Sequence, residues 1–356
     1  MKSLILSLLC LGLTLSGNAV SKYMGKNSNG LPMYSIDLNT PAETRFTTVS
    51  ADFKDGVNVV LGQYLSYIPW FLMPIVTEVA GALWWLQPEY YQELVGMGSS
   101  LGVDPKSLMV AQYAYEFSAF CTSVIAHDPN GQIIHSRNLD FAFADAMRNI
   151  TYEAVFTRNE TEVFRATMFA GLNGVMTGHR EGFSISLNER KPSFRTNPWD
   201  LLLNIANIFL GFPQISHVIR DTLQECSTYS CAFNKLATTS QIAPSYYAVS
   251  GISNYEGAII SRDRYGVAHI DMLSEENWYV AQTNDDHWTG VCTIRCQYVH
   301  QTMDSIGAAN ITADKMVDML KQWPSNNEHS IYNVLMINSQ NVYNSQLIAN
   351  DKPAPI

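Results

Sequence analysis

The spacing of apolar residues changes near residue 120. Upstream, apolar positions recur with a helical period, including predicted helices at 79–97 and 105–117, after one short strand at 33–38. Downstream, runs rich in β-branched and aromatic residues predict strands at 152–158, 162–169, 174–179, 183–187, 245–250, 257–263, 267–272 and 278–283. Helices are predicted at 198–210, 215–225, 231–238 and 313–323. Strands flanked by two sets of helices predict an α+β fold, a four-layer αββα sandwich behind a mostly helical N-terminal part.

A hairpin is predicted where the two patterns meet. Two β-branched runs flank the sequence Asp-Pro-Asn-Gly at 128–131, in which proline presets φ and glycine tolerates a positive φ. Folding the strands about this turn brings Arg137 and Asn138 level with Cys121, within an uncertainty of one residue in register. Asp140 then lies one pleat further on. Local geometry therefore gathers a thiol, a guanidinium and a carboxylate.

This trio suits nucleophilic catalysis. A permanent cation such as Arg137 lowers the pKa of a nearby thiol from its usual value of about 8.5, and Asp140 can hold the arginine or bind an amine. No histidine of the hairpin is an obvious base. A chain cut before Cys121 would supply one, since an α-amino group with a pKa of about 7.7 to 8.0 would lie within reach of the thiol. The alternative is a buried cysteine that acts only as a small apolar residue.

The sequences Cys121-Thr122-Ser123 and Arg137-Asn138-Leu139-Asp140 resemble the cleavage site and active-site hairpin of the acid ceramidase and N-acylethanolamine acid amidase family. Further matches follow in the same order over most of residues 34–350: Phe169-Ala170-Gly171, Gly174, Thr177-Gly178, Leu187-Asn188-Glu189-Arg190, Ala243-Pro244-Ser245-Tyr246-Tyr247, Ile260-Ser261-Arg262-Asp263-Arg264 and Gln282-Thr283-Asn284-Asp285-Asp286-His287-Trp288. The resemblance implies an N-terminal-nucleophile cysteine amidase with the αββα fold. It also implies self-cleavage between Phe120 and Cys121.

The resemblance also implies roles for single residues. Cys121 is the expected nucleophile, and Arg137 and Asp140 are expected to position its thiolate and amine. Asn284 is the expected oxyanion donor, and no cofactor or metal is required.

Two further positions are less specific. Glu189 matches an acidic residue associated with maturation, although a surface salt bridge with Arg190 would also explain it. The family has Asp-Asp-Arg-Arg after the tryptophan that matches Trp288, whereas this chain has 289–296 as Thr-Gly-Val-Cys-Thr-Ile-Arg-Cys. Arg295 is the candidate for the last family arginine, and its changed context keeps a non-catalytic, secreted lipid-binding relative open as an alternative.

The expected reaction is hydrolysis of N-acyl lipids through a Cys121 thioester. Ala114-Tyr115-Glu116 and the short interval from Asp140 to Thr151 resemble the acylethanolamine branch, whereas the sequence at 187–190 resembles ceramidase. N-acylethanolamines are slightly favoured over ceramide.

The chain begins with the pattern of a secretory signal at residues 1–19: Lys2, an apolar core at 4–15 and small residues at 17–19. Residues 20–120 and 121–356 are then the expected α- and β-subunits of a heterodimer cut from one precursor. Removing the signal changes the net charge from −10 to 21 − 32 = −11, which argues against nucleic acid as a partner. An acidic protein suits an acidic compartment, so a lysosomal or secreted location is predicted.

Two segments of the helical part suggest alternatives. Residues 56–77 carry no charge, but Pro69 and Pro74 argue against a membrane span. They are predicted to form buried helices or, alternatively, a face that docks on a membrane or vesicle surface. Gly98-Ser99-Ser100-Leu101-Gly102 matches a G-x-S-x-G nucleophile elbow, but the surrounding pattern is helical and predicts a helix connection.

Cysteine spacing leaves one thiol unpaired. After Cys10 leaves with the signal, Cys121 is joined by two close pairs, Cys226 with Cys231 and Cys292 with Cys296. Residues 20–120 contain no cysteine, so the intersubunit disulfide of the acid ceramidase branch cannot form. The spacing of His287, Cys292, Cys296 and His300 also fits zinc, but an oxidising, acidic compartment disfavours that interpretation. Asn149, Asn159 and Asn310 each begin an Asn-X-Thr glycosylation sequence.

Overall fold

Two β-sheets stack face to face in the computed structural model, which describes residues 21–66, 81, 85–115, 119–190 and 198–354. The strands are β1 (Lys22–Lys26), β2 (Pro32–Asp37), β3 (Ala119–His127), β4 (Ile133–Phe141), β5 (Thr151–Arg158), β6 (Thr161–Phe169), β7 (Thr177–Arg180), β8 (Phe183–Glu189), β9 (Ser245–Ser250), β10 (Gly257–Arg262), β11 (Val267–Met272), β12 (Tyr279–Gln282), β13 (Ser330–Ile337) and β14 (Val342–Leu347). One sheet has the order β1-β2-β5-β6-β7-β8-β9-β10-β11 and the other β12-β3-β4-β13-β14. The predicted signal segment lies outside the described residues.

Helices cover the outer faces of both sheets. They are α1 (Thr47–Asp52), α2 (Lys54–Leu65), α3 (Pro88–Leu101), α4 (Pro105–Tyr115), α5 (Ala144–Arg148), α6 (Pro198–Phe209), α7 (Ile215–Glu225), α8 (Tyr229–Thr238), α9 (Ile294–Ile306) and α10 (Ala313–Leu320). On the nine-stranded sheet, α7 and α8 pack against β6, β7, β9 and β10. On the other sheet, α9 packs against β12, and α10 packs against β4 and β13. The layers are therefore α, β, β and α, as predicted.

The N-terminal part is more than a helical layer. Its strands β1 and β2 extend the nine-stranded sheet, and β2 pairs in parallel with β5 from Met33 opposite Glu153 to Asp37 opposite Thr157. Aromatic contacts between Phe53 and Tyr152 then seat the following helices on the outer face. The segment before the hairpin therefore shares both a sheet and a core with the segment after it.

Several elements differ from the sequence prediction. The apolar run at 330–337 and the partly polar segment at 342–347 were not assigned as strands, although they form β13 beside β4 and β14 beside β13. The helix α9 and the strand β1 were also missed. Both are largely polar, with β1 exposed along most of its length, so neither gives a strong amphipathic pattern. Within the uncharged stretch, residues 56–65 belong to α2, and 67–77 lie outside the described residues.

No helix in the described ranges is both long and apolar enough to cross a membrane.

Candidate active site

The hairpin of β3 and β4 carries the candidate nucleophile. Its register pairs Cys121 with Leu139 and Ser123 with Arg137. Because side chains alternate between the two faces of a strand, Cys121 and Arg137 lie on the same face. The predicted alignment, with Arg137 and Asn138 level with Cys121, is one residue away from the observed pairing with Leu139, which is within the stated uncertainty, and the thiol and the guanidinium meet diagonally.

The register is shifted because the turn is one residue longer than predicted. The N–H of Asp128 donates to the carbonyl oxygen of Gln132 at 2.9 Å, so Gln132 belongs to the turn. Asp128 Oδ1 accepts from the N–H groups of Asn130 and Gln132 at 2.9 and 2.8 Å. Gly131 has a φ of +83°, the conformation for which glycine was expected. Residues 128–132 thus separate the strands, and the added residue moves every pair by one position.

Arg137 lies beside the thiol. Its Nη2 is 3.8 Å from the Sγ of Cys121 and donates to the carbonyl oxygens of Leu187 and Met176. Its Cζ is 5.5 Å from the centre of the Tyr332 ring, whose face favours a cation. Neither Cys121 nor Arg137 is more than 1% exposed. A permanent charge is thus fixed next to a buried thiol.

Asp140 is held by three donors. Arg295 Nη1 donates to its Oδ2 at 2.9 Å, Ser330 Oγ donates to its Oδ1 at 2.6 Å, and Asn327 Nδ2 reaches Oδ2 at 3.4 Å. Arg295 therefore lies in the site, even though the sequence around it departs from the family pattern. The disulfide between Cys292 and Cys296, which spans the start of α9, accompanies that altered context.

Asn284 contacts the bond that is predicted to break. Its Oδ1 accepts from the main-chain N–H of Cys121 at 2.9 Å and also from Arg295 Nη2. Its Nδ2 donates to the carbonyl oxygen of Glu189 at 2.7 Å. Both groups that face Oδ1 are donors and the group that faces Nδ2 is an acceptor, so the amide orientation is set. In the uncut chain the NH₂ expected to serve an oxyanion is therefore engaged by Glu189.

Glu189 ends β8 at the edge of this group. It is 8% exposed, so a surface salt bridge does not describe its position. Arg190 donates to the carboxylates of Asp286 and Asp263. The maturation role of Glu189 stays a prediction.

Comparisons with known proteins agree with this arrangement. The rat N-acylethanolamine-hydrolyzing acid amidase is 32% identical over 86% of this chain and 85% of its own length. The protein of the same name from Caenorhabditis elegans is 31% identical over 85% and 88%. Human acid ceramidase is 28% identical over 86% and 83%. No protein-family profile matches the chain.

The fold agrees with the sequences. A solved C. elegans N-acylethanolamine-hydrolyzing acid amidase ortholog superposes with a TM-score of 0.57 at 33% identity, over 62% of this chain and 93% of its own. The chain belongs to the N-acylethanolamine acid amidase and acid ceramidase family. The predicted family, its N-terminal-nucleophile hydrolase fold and its enzyme class are therefore confirmed.

In this member of the acid amidase family, burial dominates the electrostatics of the thiol. Burial raises the pKa of Cys121, Arg137 and Arg295 oppose that rise, and Asp140 adds to it. Burial likewise raises the pKa of Asp140, against the opposing effects of Arg295, Ser330 and Asn327. In the uncut chain the thiol is therefore held neutral at acidic pH, beside the cations that a thiolate would need.

Several residues of the family site were missed from the sequence. Ser330 and Asn327 hold Asp140, and Tyr332 lies under Arg137; all three lie on or just before β13. The run Ile-Tyr-Asn-Val-Leu-Met-Ile at 331–337 was the available signal for that strand. Asn188, within a motif that carried the resemblance, donates to the carbonyl oxygens of Gln282 and Thr283 and so fixes the residues before Asn284.

The other candidate sites have structural explanations. Cys226 and Cys231 form a disulfide, as do Cys292 and Cys296, so neither thiol of the proposed zinc set is free to bind metal. Cys121 is a free, buried cysteine. Within the described ranges, no group of three His, Cys, Asp or Glu residues is arranged to hold a metal ion.

The G-x-S-x-G sequence ends α3, with Gly102 in the left-handed region at φ +77°. The predicted helix connection is therefore shorter than 98–102, because residues 98–101 form the last turn of α3, and no strand precedes the sequence as a nucleophile elbow requires. Asn149, Asn159 and Asn310, the asparagines of the three glycosylation sequences, are all exposed.

Proposed function

We propose that the protein is an acid amidase that hydrolyses N-acyl lipids to a fatty acid and an amine through a thioester on Cys121. The observation that carries the proposal is the position of Cys121: its Sγ lies 3.8 Å from Arg137, and its main-chain nitrogen lies 2.9 Å from Asn284. An amidase that uses its own α-amino group needs both of these contacts on one residue.

Maturation is the first step of the proposal. The Cys121 thiol attacks the carbonyl carbon of Phe120, and its proton passes to the departing nitrogen as the peptide C–N bond breaks. Water then hydrolyses the resulting thioester, which restores the thiol and releases a new carboxyl terminus at Phe120. The freed α-amino group remains within reach of Asn284 Oδ1, which already accepts a hydrogen bond from that nitrogen.

Turnover reuses the same atoms. The α-amino group takes the thiol proton, and Sγ attacks the amide carbonyl of the substrate. The resulting ammonium protonates the leaving amine, and water releases the fatty acid. Asn284 and a backbone N–H stabilise the oxyanion, which requires Asn284 Nδ2 to leave the carbonyl oxygen of Glu189 after cleavage. Arg137 and Arg295 offset the negative charge of the thiolate.

N-acylethanolamines are the slightly favoured substrates, and ceramide is the alternative. Relatives named for N-acylethanolamine hydrolysis share 30–34% identity with the chain, against 28% for acid ceramidases. The non-catalytic, lipid-binding alternative depended on the altered sequence around Arg295. That residue nevertheless contacts both Asp140 and Asn284, so this reason for the alternative no longer holds.

The remaining features of the proposal concern where and how the enzyme works. A signal peptide at 1–19, glycosylation of the three exposed asparagines and a lysosomal or secreted location fit together as one secretory route. The subunits 20–120 and 121–356 form a heterodimer. Residues 56–77 are the proposed contact with a membrane or vesicle surface; Val59, on α2, is 55% exposed there.

A reducing gel after incubation at a pH of about 4.5 tests the proposal, since an acidic compartment is where cleavage is expected. The parent protein is expected to give two fragments, cut between Phe120 and Cys121, whereas Cys121→Ala is expected to stay intact. Parallel release assays with palmitoylethanolamide and ceramide, run on the cleaved protein, then decide the substrate. An uncut chain that releases no fatty acid but binds lipid vesicles would overturn the proposal.

A further inference from the structure

A buried ion-pair cluster joins the two sides of the cleavage position. Glu93 of α3 accepts from Arg220 of α7 through both carboxylate oxygens, each at 2.6 Å. Arg45 Nη1 donates to Glu93 Oε1 at 3.1 Å. Glu93 and Arg220 are each 1% exposed. We call these three residues, together with Asn173, the Glu93 cluster.

Asn173 connects the two segments through its main-chain N–H and its side-chain Nδ2, which donate to residues that precede Cys121. Its main-chain N–H donates to Gln112 Oε1 at 3.1 Å, and its carbonyl oxygen accepts from Arg220 at 2.9 Å. Its Nδ2 donates to Glu93 Oε2 at 3.1 Å and to the carbonyl oxygen of Tyr90 at 3.0 Å. Gln112, Glu93 and Tyr90 precede Cys121, whereas Arg220 follows it. The cluster is therefore complete only when both segments are in register.

Aromatic rings shield the arginine. The Cζ of Arg220 lies 4.9 Å from the centre of Tyr90, 5.6 Å from Phe46 and 5.2 Å from Phe156. Tyr90 also stacks on His217 at 3.8 Å. Burial alone would lower the pKa of Arg220, but the charge and hydrogen bonds of Glu93 outweigh it and the pKa is raised. The guanidinium of Arg220 therefore stays charged. Its burial is favourable only in an arrangement that pairs it with the carboxylate of Glu93.

The consequence for association follows from the cost of an unpaired buried charge. A buried ion pair adds little net affinity, because both ions lose their hydration. Any docked arrangement that buries one partner without the other is strongly penalised, because the remaining charge is buried without its counter-ion. The β2–β5 ladder is made of backbone bonds, and a two-residue slip would keep each side chain on its own face of the sheet. Such a slip would not preserve the contact between Glu93 and Arg220.

We propose that the Glu93 cluster is the docking determinant that retains the N-terminal fragment, residues 20–120, on the remainder of the chain after cleavage. The inference rests on the proposed cleavage. Retention has to be non-covalent, because residues 20–120 have no cysteine and both disulfides lie within the downstream segment. The cluster restricts the fragment to the one arrangement in which Arg220 receives its carboxylate.

Fragment release from the full chain tests the proposal in two arms. The protein carries a C-terminal affinity tag and is cut either by itself or, in a Cys121→Ala background, by an added protease whose recognition site is inserted at residue 117. Retention of the N-terminal fragment on the resin is followed with time and dilution. Glu93→Gln, which leaves Arg220 buried without its carboxylate, is expected to raise the fragment dissociation constant by about 100-fold or more, and Arg220→Met by less, because Glu93 keeps Arg45. The apolar double variant Glu93→Leu with Arg220→Met is expected to return it to within about tenfold of the parent, since no charge is then left unpaired.

Two controls separate docking from general stability. Glu225→Gln breaks an exposed ion pair with Lys235. Glu225 lies on the same helix as Arg220, but both partners of this pair belong to the same fragment, so the variant should release no fragment. Leu320→Ala weakens the core between the five-stranded sheet and its helices. Thermal unfolding of the uncut chain shows whether Leu320→Ala and Glu93→Gln lower the unfolding temperature by the same amount. The proposal is overturned if Glu93→Gln retains its fragment as Glu225→Gln does, or if Leu320→Ala loses it equally. If the self-cut arm is never cut, the proposed function fails, while the protease-cut arm still decides the docking role.

Discussion

Two buried clusters in this molecule contain the same charged groups, one carboxylate and two arginines. In the active site they are Asp140, Arg137 and Arg295, and in the Glu93 cluster they are Glu93, Arg45 and Arg220. In the Glu93 cluster both arginines donate directly to the carboxylate. In the active site only Arg295 does so, and Arg137 is directed to the thiol and to main-chain carbonyl oxygens.

The direction of the second arginine separates a structural cluster from a reactive one. Glu93 uses its charge on two cations, and Arg45 is also paired with Glu89, so little charge remains to act on a third group. Asp140 leaves part of its hydrogen bonding to the neutral donors Ser330 and Asn327. Arg137 is then available to oppose the burial that raises the pKa of Cys121. The same residue types therefore support packing in one place and surround a free, buried thiol in the other.

The largest expected effect comes from removing that second arginine. Arg137→Met keeps a long apolar side chain but no cation, so amide hydrolysis by cleaved enzyme should fall about 100- to 1000-fold, as when one preorganised donor is lost. Release of fatty acid from palmitoylethanolamide, per folded molecule, measures the loss. Arg45→Met is the matched variant in the other cluster and should lower the unfolding temperature with activity per folded molecule unchanged. Equal activity losses in the two variants would contradict the comparison.

The active site was more predictable than the Glu93 cluster because part of it is local. Cys121, Arg137 and Asp140 lie within 20 residues of one another, and a turn signal between them predicts a hairpin. The register escaped prediction, because Gln132 joins the turn through bonds to Asp128 that composition does not specify. A pattern of turn residues fixes that the chain reverses but not how many residues the reversal uses.

The pattern of apolar and polar residues does not predict contacts between segments that are distant in sequence. Ser330 is 190 residues from Asp140, and Glu93 is 127 residues from Arg220. No periodicity within a helix or strand indicates which distant partner a buried charge will meet. Arg295 was predicted only from the family resemblance, because the sequence around it is altered. In the structure it contacts both Asp140 and Asn284.

The next largest effect concerns acid stability, to which both regions contribute a buried histidine. Burial, with a smaller contribution from a nearby arginine, lowers the pKa of His135 and of His217 to about 3. Unfolding lets each histidine take up a proton below its ordinary pKa, so stability falls as the pH drops from about 6.5 toward 3. Each should cost about 2–3 kcal/mol between pH 7 and 4.5. His217→Gln should remove one histidine's share of that slope in denaturant unfolding, and an unchanged slope would contradict the assignment.

A smaller effect is expected when a neutral donor of the active site is removed. Ser330→Ala deletes a hydrogen bond of 2.6 Å that lowers the pKa of Asp140, so that pKa should rise further. The loss is expected to be about 1.5 kcal/mol, or roughly tenfold in activity on the acidic limb of the pH profile, and less at higher pH. Ser330→Thr keeps the hydroxyl and should restore the profile. A uniform loss at every pH would indicate a structural effect rather than positioning of Asp140.

The smallest expected effect lies at a carboxylate that is not sealed from water. Asp271 is 25% exposed in its side chain and lies 3.1 Å from His269 and 3.2 Å from His287. Burial raises its pKa, but hydrogen bonds from His287 and His269 outweigh burial and lower it, so the stability it adds is lost as the pH falls through its folded-state pKa. Because solvent and salt screen this contact, Asp271→Asn should cost under about 1 kcal/mol, and less in high salt. Unfolding titrations at two salt concentrations measure this loss of unfolding free energy. If Asp271→Asn lost as much as Glu93→Gln, burial would not be what distinguishes the two buried clusters from the partly exposed Asp271.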